Sequence, residues 1–264
     1  MNLKDVCLVV TSHNDADTVR GCLESARGLG GMVVVDAFST DRTAEIAREA
    51  GAVVYSRPRS DAAAQRNWAV TRASGRWVLS VDATETLSDE LRDSIEGADG
   101  EAAGGFEVRV ENEYLGKVMK SGAASLGGAV RLFARDAVEF VADGRDPTGA
   151  SVKAKGRTAI LDGVVLRREF RDLHLHFEAI NRVTTVEARN YVDGGGRLAP
   201  VRMMLQPAFR FWRLYVLRGG IRDGARGMMY CMLRAYASFI TYAKAWEIRA
   251  GKRREKKKRG KDAA

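Results

Sequence analysis

The sequence predicts an α/β fold built on a parallel sheet. Two observations carry that expectation. Four short apolar runs, Val6–Val10, Met32–Val35, Ala52–Tyr55 and Trp77–Val81, recur with helical stretches between them. Strands that alternate with helices imply βαβ units joined by right-handed crossovers. In addition, 264 residues with 45% hydrophobic content suffice for one sizeable domain with a core, plus an appendage.

Between the first two runs, Val19, Cys22, Leu23, Ala26 and Leu29 fall at helical spacing. Thr40-Asp41 begins a second helix through Arg48, and Asp61–Ala73 forms a third before Trp77. The fourth apolar run closes on Asp82-Ala83-Thr84-Glu85, and Leu87-Ser88-Asp89-Glu90-Leu91 reads as the next helix start. After Gly97 the pattern changes. Gly105–Val110, Ala129–Phe133 and Ser151–Ala154 alternate like short strands separated by Gly-rich loops, which suggests antiparallel additions. Arg171–Tyr191 is helical again, and Gly194-Gly195-Gly196 breaks it. From Pro200 to Arg249 the chain reads as helix, rich in Met, Phe, Trp and Tyr and interrupted repeatedly by Arg.

The formal charge of +9 is uneven: residues 252–261 carry eight Lys/Arg against one Glu. Such a block is expected to be a disordered interaction tail. Cys7, Cys22 and Cys231 are widely spaced without metal spacing; the first two read as small core residues, and an odd count points to a reducing cytosol. Met1–Asp5 leads directly into a strand without a signal-peptide pattern, and no run reaches the roughly 18–20 apolar residues of a membrane span. Nucleic-acid binding is disfavoured, because the basic block lies outside the folded domain and no recognition motif accompanies it.

Three segments stand out: Thr11-Ser12-His13-Asn14-Asp15 after the first strand, Val35-Asp36-Ala37-Phe38-Ser39-Thr40-Asp41-Arg42-Thr43 after the second, and Gln65-Arg66-Asn67-Trp68-Ala69 on the third helix. Together they resemble the inverting glycosyltransferases of family 2, which have the GT-A fold, and among them the bacterial transferases of the lipopolysaccharide inner core. Tyr114-Leu115-Gly116, Arg131-Leu132-Phe133, Asp223–Gly227 and Tyr242–Glu247 extend the likeness, which runs from about residue 5 to 248. The resemblance implies a GT-A, Rossmann-like domain over residues 1–198 with a central, mostly parallel sheet. An amphipathic helical region over 199–250, membrane-associated, and a basic tail over 251–264 would follow.

Asp36 stands at a strand's C-terminal end, where a carboxylate can accept an N–H from a nucleobase; the resemblance implies uracil. A helix cap or Asx-turn is the competing role, although Ser39, Thr40 and Asp41 also offer caps. Thr11, Asn14 and Asp15 occupy the first βα turn, where the family contacts the nucleoside, and His13 reads as a turn residue. Arg66 either grips a diphosphate through paired N–H donors or is a solvated helix-face cation. Asp82 matches the first Asp of the family's metal motif. Thr84 replaces the second, leaving Asp82 and Glu85 as the candidate ligands for Mg²⁺ or Mn²⁺, which prefer carboxylate oxygens. The family's catalytic His-Glu falls on Gly149-Ala150, neither of which can act as a base, so Asp146 is the expected substitute, with Asp143 also near. A later family His falls on Arg167. Of His174 and His176 on the long helix, one is expected exposed and the other partly buried.

The implied activity is transfer of a sugar, with inversion, from a nucleotide-sugar donor (a UDP-sugar) to a lipopolysaccharide-core or other cell-envelope glycan. The alternative is an impaired relative acting as a nucleotide-binding or scaffold protein. The expected partners are the donor, a lipid-linked glycan acceptor and an anionic membrane surface. Interleaving of Arg202, Arg210, Arg213, Arg218, Arg222 and Arg226 with Phe209, Trp212 and Leu217 supports the last of these. The protein would then lie on the inner face of the cytoplasmic membrane.

Overall fold

The computed structural model describes residues 1–58, 61–101, 103–120, 127–142, 150–154, 156–196 and 200–262. By internal contacts the chain forms two compact units, Met1–Asn112 with Leu126–Arg168, and Glu113–Ser125 with Glu169–Ala264.

In the first unit, β1 (Val6–Ser12), α1 (Val19–Ser25), β2 (Gly31–Asp36), α2 (Thr43–Glu49), β3 (Val53–Ser56), α3 (Ala62–Val70) and β4 (Trp77–Asp82) follow the expected alternation. β1 pairs in parallel with β2 on one side and β4 on the other, and β2 pairs in parallel with β3. Alternation along β1 divides the core between the two faces of the sheet. Val6, Leu8 and Val10 pack with Val19, Cys22 and Leu23 of α1, whereas Cys7 and Val9 pack with Ala63, Ala69 and Val70 of α3. Each fully buried Val or Leu here contributes on the order of 2 kcal/mol.

Beyond β4 come β5 (Glu85–Leu87), α4 (Asp89–Gly97), β6 (Gly105–Tyr114), β7 (Lys117–Val118), β8 (Gly128–Ala134), β9 (Val138–Ala142), β10 (Ala150–Ala154) and β11 (Thr158–Phe170). The sheet order is β3-β2-β1-β4-β8-β6-β11-β5, with β7 paired to β6. Strand β8 joins β4 antiparallel, and β5 joins β11 antiparallel. Of the expected antiparallel additions, β6 and β8 lie on the β4 side of the parallel strands, whereas β10 pairs antiparallel with β9 in a separate two-stranded sheet. β5, β9 and the thirteen-residue β11 were not visible as strands in the sequence. Ser88 starts α4 as expected: its hydroxyl accepts from Leu91 N and also from Val164 N, so one side chain caps the helix and fixes β11 beside it. Gly163 of β11 has φ +85, and a Cβ there would lie 2.3 Å from Leu91 N, so glycine is required at this approach.

The second unit is helical: α5 (Leu173–Asp193), α6 (Pro200–Trp212) and α7 (Gly224–Asp262). The expected continuous helix from Pro200 is interrupted by a wide turn at Arg213–Leu217 and by Gly219, whose φ is +74. The matched Asp223–Gly227 segment has a packing reason. Asp223 accepts from Lys120 N, and a Cβ on Gly227 would lie 2.0 Å from the Gly220 carbonyl. The Lys244 amine donates to Asn181, Thr184 and Thr185, which ties α7 to α5. The basic block expected to be disordered instead continues α7 to Asp262; Lys and Arg are good helix formers, and the helix is already nucleated upstream. Cys7, Cys22 and Cys231 are buried free thiols.

His176 is buried and stacked on Phe170, and its Nδ1 lies 3.1 Å from the Tyr114 hydroxyl, while His174 is exposed. Burial, with Arg234 nearby, pushes the imidazole down to about 4. The unfolded chain therefore takes up the proton first, so this contribution is complete above about pH 6.5 and is lost as pH falls toward 4. Urea unfolding at pH 7 and pH 4.5 should show wild type losing roughly 2–3 kcal/mol more than His176→Gln across that interval.

Candidate active site

Register brings the candidate residues together before any side chain is considered. Ser12 stands opposite Asp36, and Thr11 stands opposite Asp82, so the carboxyl ends of β2, β1 and β4 present their polar residues in one row. Strand order reverses at β1, and ligands of open α/β sheets bind at such a point.

Asp36 is buried and caps its own turn: Oδ2 accepts from Ser39 N at 2.9 Å, and Oδ1 accepts from the hydroxyls of Ser39 and Ser12. The turn role held open for it is therefore made. Phe38 within that turn adopts φ +55 with its ring exposed, a combination uncommon outside functional turns and not singled out from the sequence. Asn14, at φ +57, accepts from Thr40 N and donates its own N–H to Ser39. Asp15 accepts from His13 N and donates its N–H to Thr43; burial and then the nearby Asp82 and Asp41 raise its carboxyl. His13 Nδ1 lies 3.0 Å from the Ala37 carbonyl, which fixes that nitrogen as the protonated one and His13 as a turn residue. The first and second βα turns are thus one hydrogen-bonded unit.

The second cluster is ionic. Asp82 Oδ1 accepts from Thr11 Oγ1 at 2.8 Å and from Arg66 Nη2 at 2.7 Å, and Oδ2 lies 3.5 Å from Arg167 Nη2. Burial pushes this carboxyl up, but Arg66, Arg167 and Arg131 outweigh it and hold the group well below the usual range. Glu85 is wholly buried. Its Oε1 accepts from Arg167 Nε and Nη2 at 2.9 and 2.6 Å and from Arg131 Nη2 at 3.0 Å, and its Oε2 accepts from Asp82 N at 2.8 Å. Arg66 is no solvated surface cation; it is buried, with its guanidinium 5.9 Å from the Phe140 ring.

This geometry corrects the expected metal set. Glu85 cannot serve as a ligand, because antiparallel pairing of β5 with β11 sets it opposite Arg167 and turns it inward. Thr84 is held at its backbone by Arg168 N at 2.8 Å and offers only a neutral hydroxyl. Among the described residues no group of three His, Cys, Asp or Glu side chains is placed to hold a metal. The described residues do not fit a carboxylate-held divalent ion.

Arg131 and Arg167 are the functional candidates that sequence reasoning missed, although Arg131 lies in a matched segment and Arg167 stands where the family has His. Asp146 lies outside the described residues. Asn67, beside Arg66, both donates to and accepts from the Phe140 backbone on β9. Ala150 is buried on β10.

With this site in view, the comparisons with known proteins are informative. Residues 7–106 match the family model described as Glycosyl transferase family 2. That segment, which holds β1 to β4, is similar to the family's domain, and the chain as described has an α/β fold with a helical C-terminal region. Its resemblance is to the lipopolysaccharide-core enzymes: it is 26% identical to the lipopolysaccharide core biosynthesis glycosyltransferase LpsC of Rhizobium meliloti, over 88% of each chain. A glycosyltransferase of Rickettsia typhi is 23% identical, covering 93% of this chain and 88% of the relative. Among solved structures, Staphylococcus aureus TarS 1–349 in complex with UDP-GlcNAc is similar at 14% identity and TM-score 0.48, over 93% and 92% of the two chains.

Replacing Glu85 with Gln would leave Arg131 and Arg167 buried without their carboxylate. A loss of roughly 3–5 kcal/mol is expected, read as a lower urea midpoint with unchanged slope.

Proposed function

We propose that the protein transfers a sugar from a UDP-sugar to a lipopolysaccharide-core or other cell-envelope glycan, with inversion at the anomeric carbon. The observation that carries this reading is the convergence of Thr11, Asp36, Arg66 and Asp82 at the carboxyl ends of three adjacent strands, inside the family-matched segment. The likeness to LpsC over most of both chains supports the class of acceptor.

In this reading Asp36 and the Asn14–Asp15 turn receive the nucleoside, and Arg66 faces the diphosphate. The acceptor hydroxyl attacks the anomeric carbon as its bond to the diphosphate oxygen breaks. The hydroxyl proton passes to a carboxylate, for which Asp146 is the candidate, and charge builds on the leaving diphosphate beside Arg66. Thr84 and the Gly149-Ala150 positions favour the second reading, a nucleotide-binding relative without turnover. Sugar transfer to a lipopolysaccharide-core acceptor decides between them. Turnover is expected in wild type and a drop of about a hundredfold or more in Asp82→Ala; equal rates for the two would refute the enzyme reading.

The reading also places the protein on the inner face of the cytoplasmic membrane. No helix among the described residues is long and apolar enough to cross one. Instead, α6 and the turns after it expose Met204, Leu205, Phe209, Trp212, Val216 and Leu217 together with Arg202, Arg213 and Arg218. Exposed apolar area flanked by cations suits an anionic headgroup layer, and the basic end of α7 adds on the order of 1 kcal/mol per charge near the surface. The protein should co-sediment with anionic but not neutral vesicles, and deletion of 251–264 or Trp212→Glu should release it. Sedimentation unaltered by both changes would exclude this mode of attachment.

A further inference from the structure

We infer that Arg210 and Arg234 of the helical unit form a binding site for a phosphate group. The inference deepens the membrane-attachment reading above, because it names the chemical group that these helices would take from a phospholipid. Arg210 on α6 is half-buried, and its Nη1 donates to Ser238 Oγ at 2.6 Å across the contact with α7. Arg234, also half-buried, stands one turn before Ser238 on that same face of α7, since helical residues four apart lie one above the other. The Ser238 hydroxyl in turn donates to the Arg234 carbonyl at 3.5 Å. Two guanidiniums from neighbouring helices thus share one neighbourhood.

Neither guanidinium has an ion-pair partner among the described residues, and Ser238 is the one side chain that Arg210 meets by a hydrogen bond. Burial and then the charge of Arg234 lower Arg210 from the ordinary arginine range, so the two cations feel each other. Glu187 is a carboxylate whose charge reaches Arg210, but its Oε2 accepts from Thr241 at 2.9 Å and it forms a salt bridge with neither arginine. Like charges withdrawn from water are costly unless a counter-ion joins them. Guanidinium groups take phosphate oxygens through paired N–H donors and stay charged at any working pH. Phe209, adjoining Arg210, and Trp212 expose their rings on α6. A headgroup phosphate held here would therefore have apolar surface beside it for its acyl chains. A phospholipid and a free phosphate ion offer the same chemistry, and the test separates them.

Thermal unfolding of the full chain is read with inorganic phosphate and with dihexanoyl phosphatidylglycerol below its micellar concentration, ionic strength being matched with chloride. Both ligands should raise the wild-type midpoint above the chloride control. Arg234→Gln should weaken both by at least about tenfold. Without ligand it should unfold no earlier than wild type, because it loses no side-chain hydrogen bond and relieves a repulsion. Tighter binding of the lipid than of phosphate supports a headgroup source, and the reverse order supports a soluble phosphate. No rise with either ligand, or an equal rise in wild type and Arg234→Gln, would overturn the site. Should Arg234→Gln fold poorly, Arg210→Lys, which keeps the charge but not the paired donors, makes the same comparison. Vesicle co-sedimentation that persists beside such a result leaves the attachment reading standing, so the two fail separately.

Discussion

The buried pair Glu85–Arg167 is the contact on which the rest of the site depends. Placing ions in a protein interior costs several kcal/mol each, and only close geometry with every polar atom engaged offsets that cost. Arg167 meets Glu85 through two N–H groups, Arg131 adds a third, and the opposite oxygen of Glu85 takes the Asp82 amide. One carboxylate therefore fixes the backbone just where β4 ends and joins it to β8 and β11. The path of the chain from Asp82 to Leu87 follows from that constraint, and so does the direction in which Asp82 points.

Asp82 is the hinge between structure and chemistry. Its amide belongs to the buried cluster, and its partly exposed carboxyl is held by Thr11 and Arg66. A carboxylate held by this many cations stays ionised across any working pH, so it acts as a fixed charge that orients neighbours and not as a proton carrier. On the proposed reading the base for the acceptor hydroxyl is another residue, with Asp146 as the candidate. The first and second βα turns are organised separately, through hydrogen bonds among Asn14, Asp15, Asp36, Ser39 and Thr43.

Much of this was legible in the chain. The apolar runs of β1 to β4 and the helices between them could be read because burial on both faces forces a continuous hydrophobic pattern. The turn residues Thr11, Asn14, Asp15 and Asp36 could be read because they sit in matched segments immediately after strands. Illegible were β5 and β11. Glu85–Leu87 is too short to show a period, and β11 carries Asp162, Gly163, Arg167 and Arg168 among its apolar positions. Without β11 there was no reason to bring Arg167 to a residue 82 positions earlier, and Glu85 read as a free acid beside a metal motif.

Periodicity and local turn chemistry, which act over a few residues, determined the parallel half of the sheet, the helices that cover it and the row of polar residues at its edge. Only the tertiary structure decided which charges face one another, because pairing across β5 and β11 is a long-range contact that no local pattern encodes. That difference in range is why the fold class could be read from the chain while the electrostatic character of the site could not.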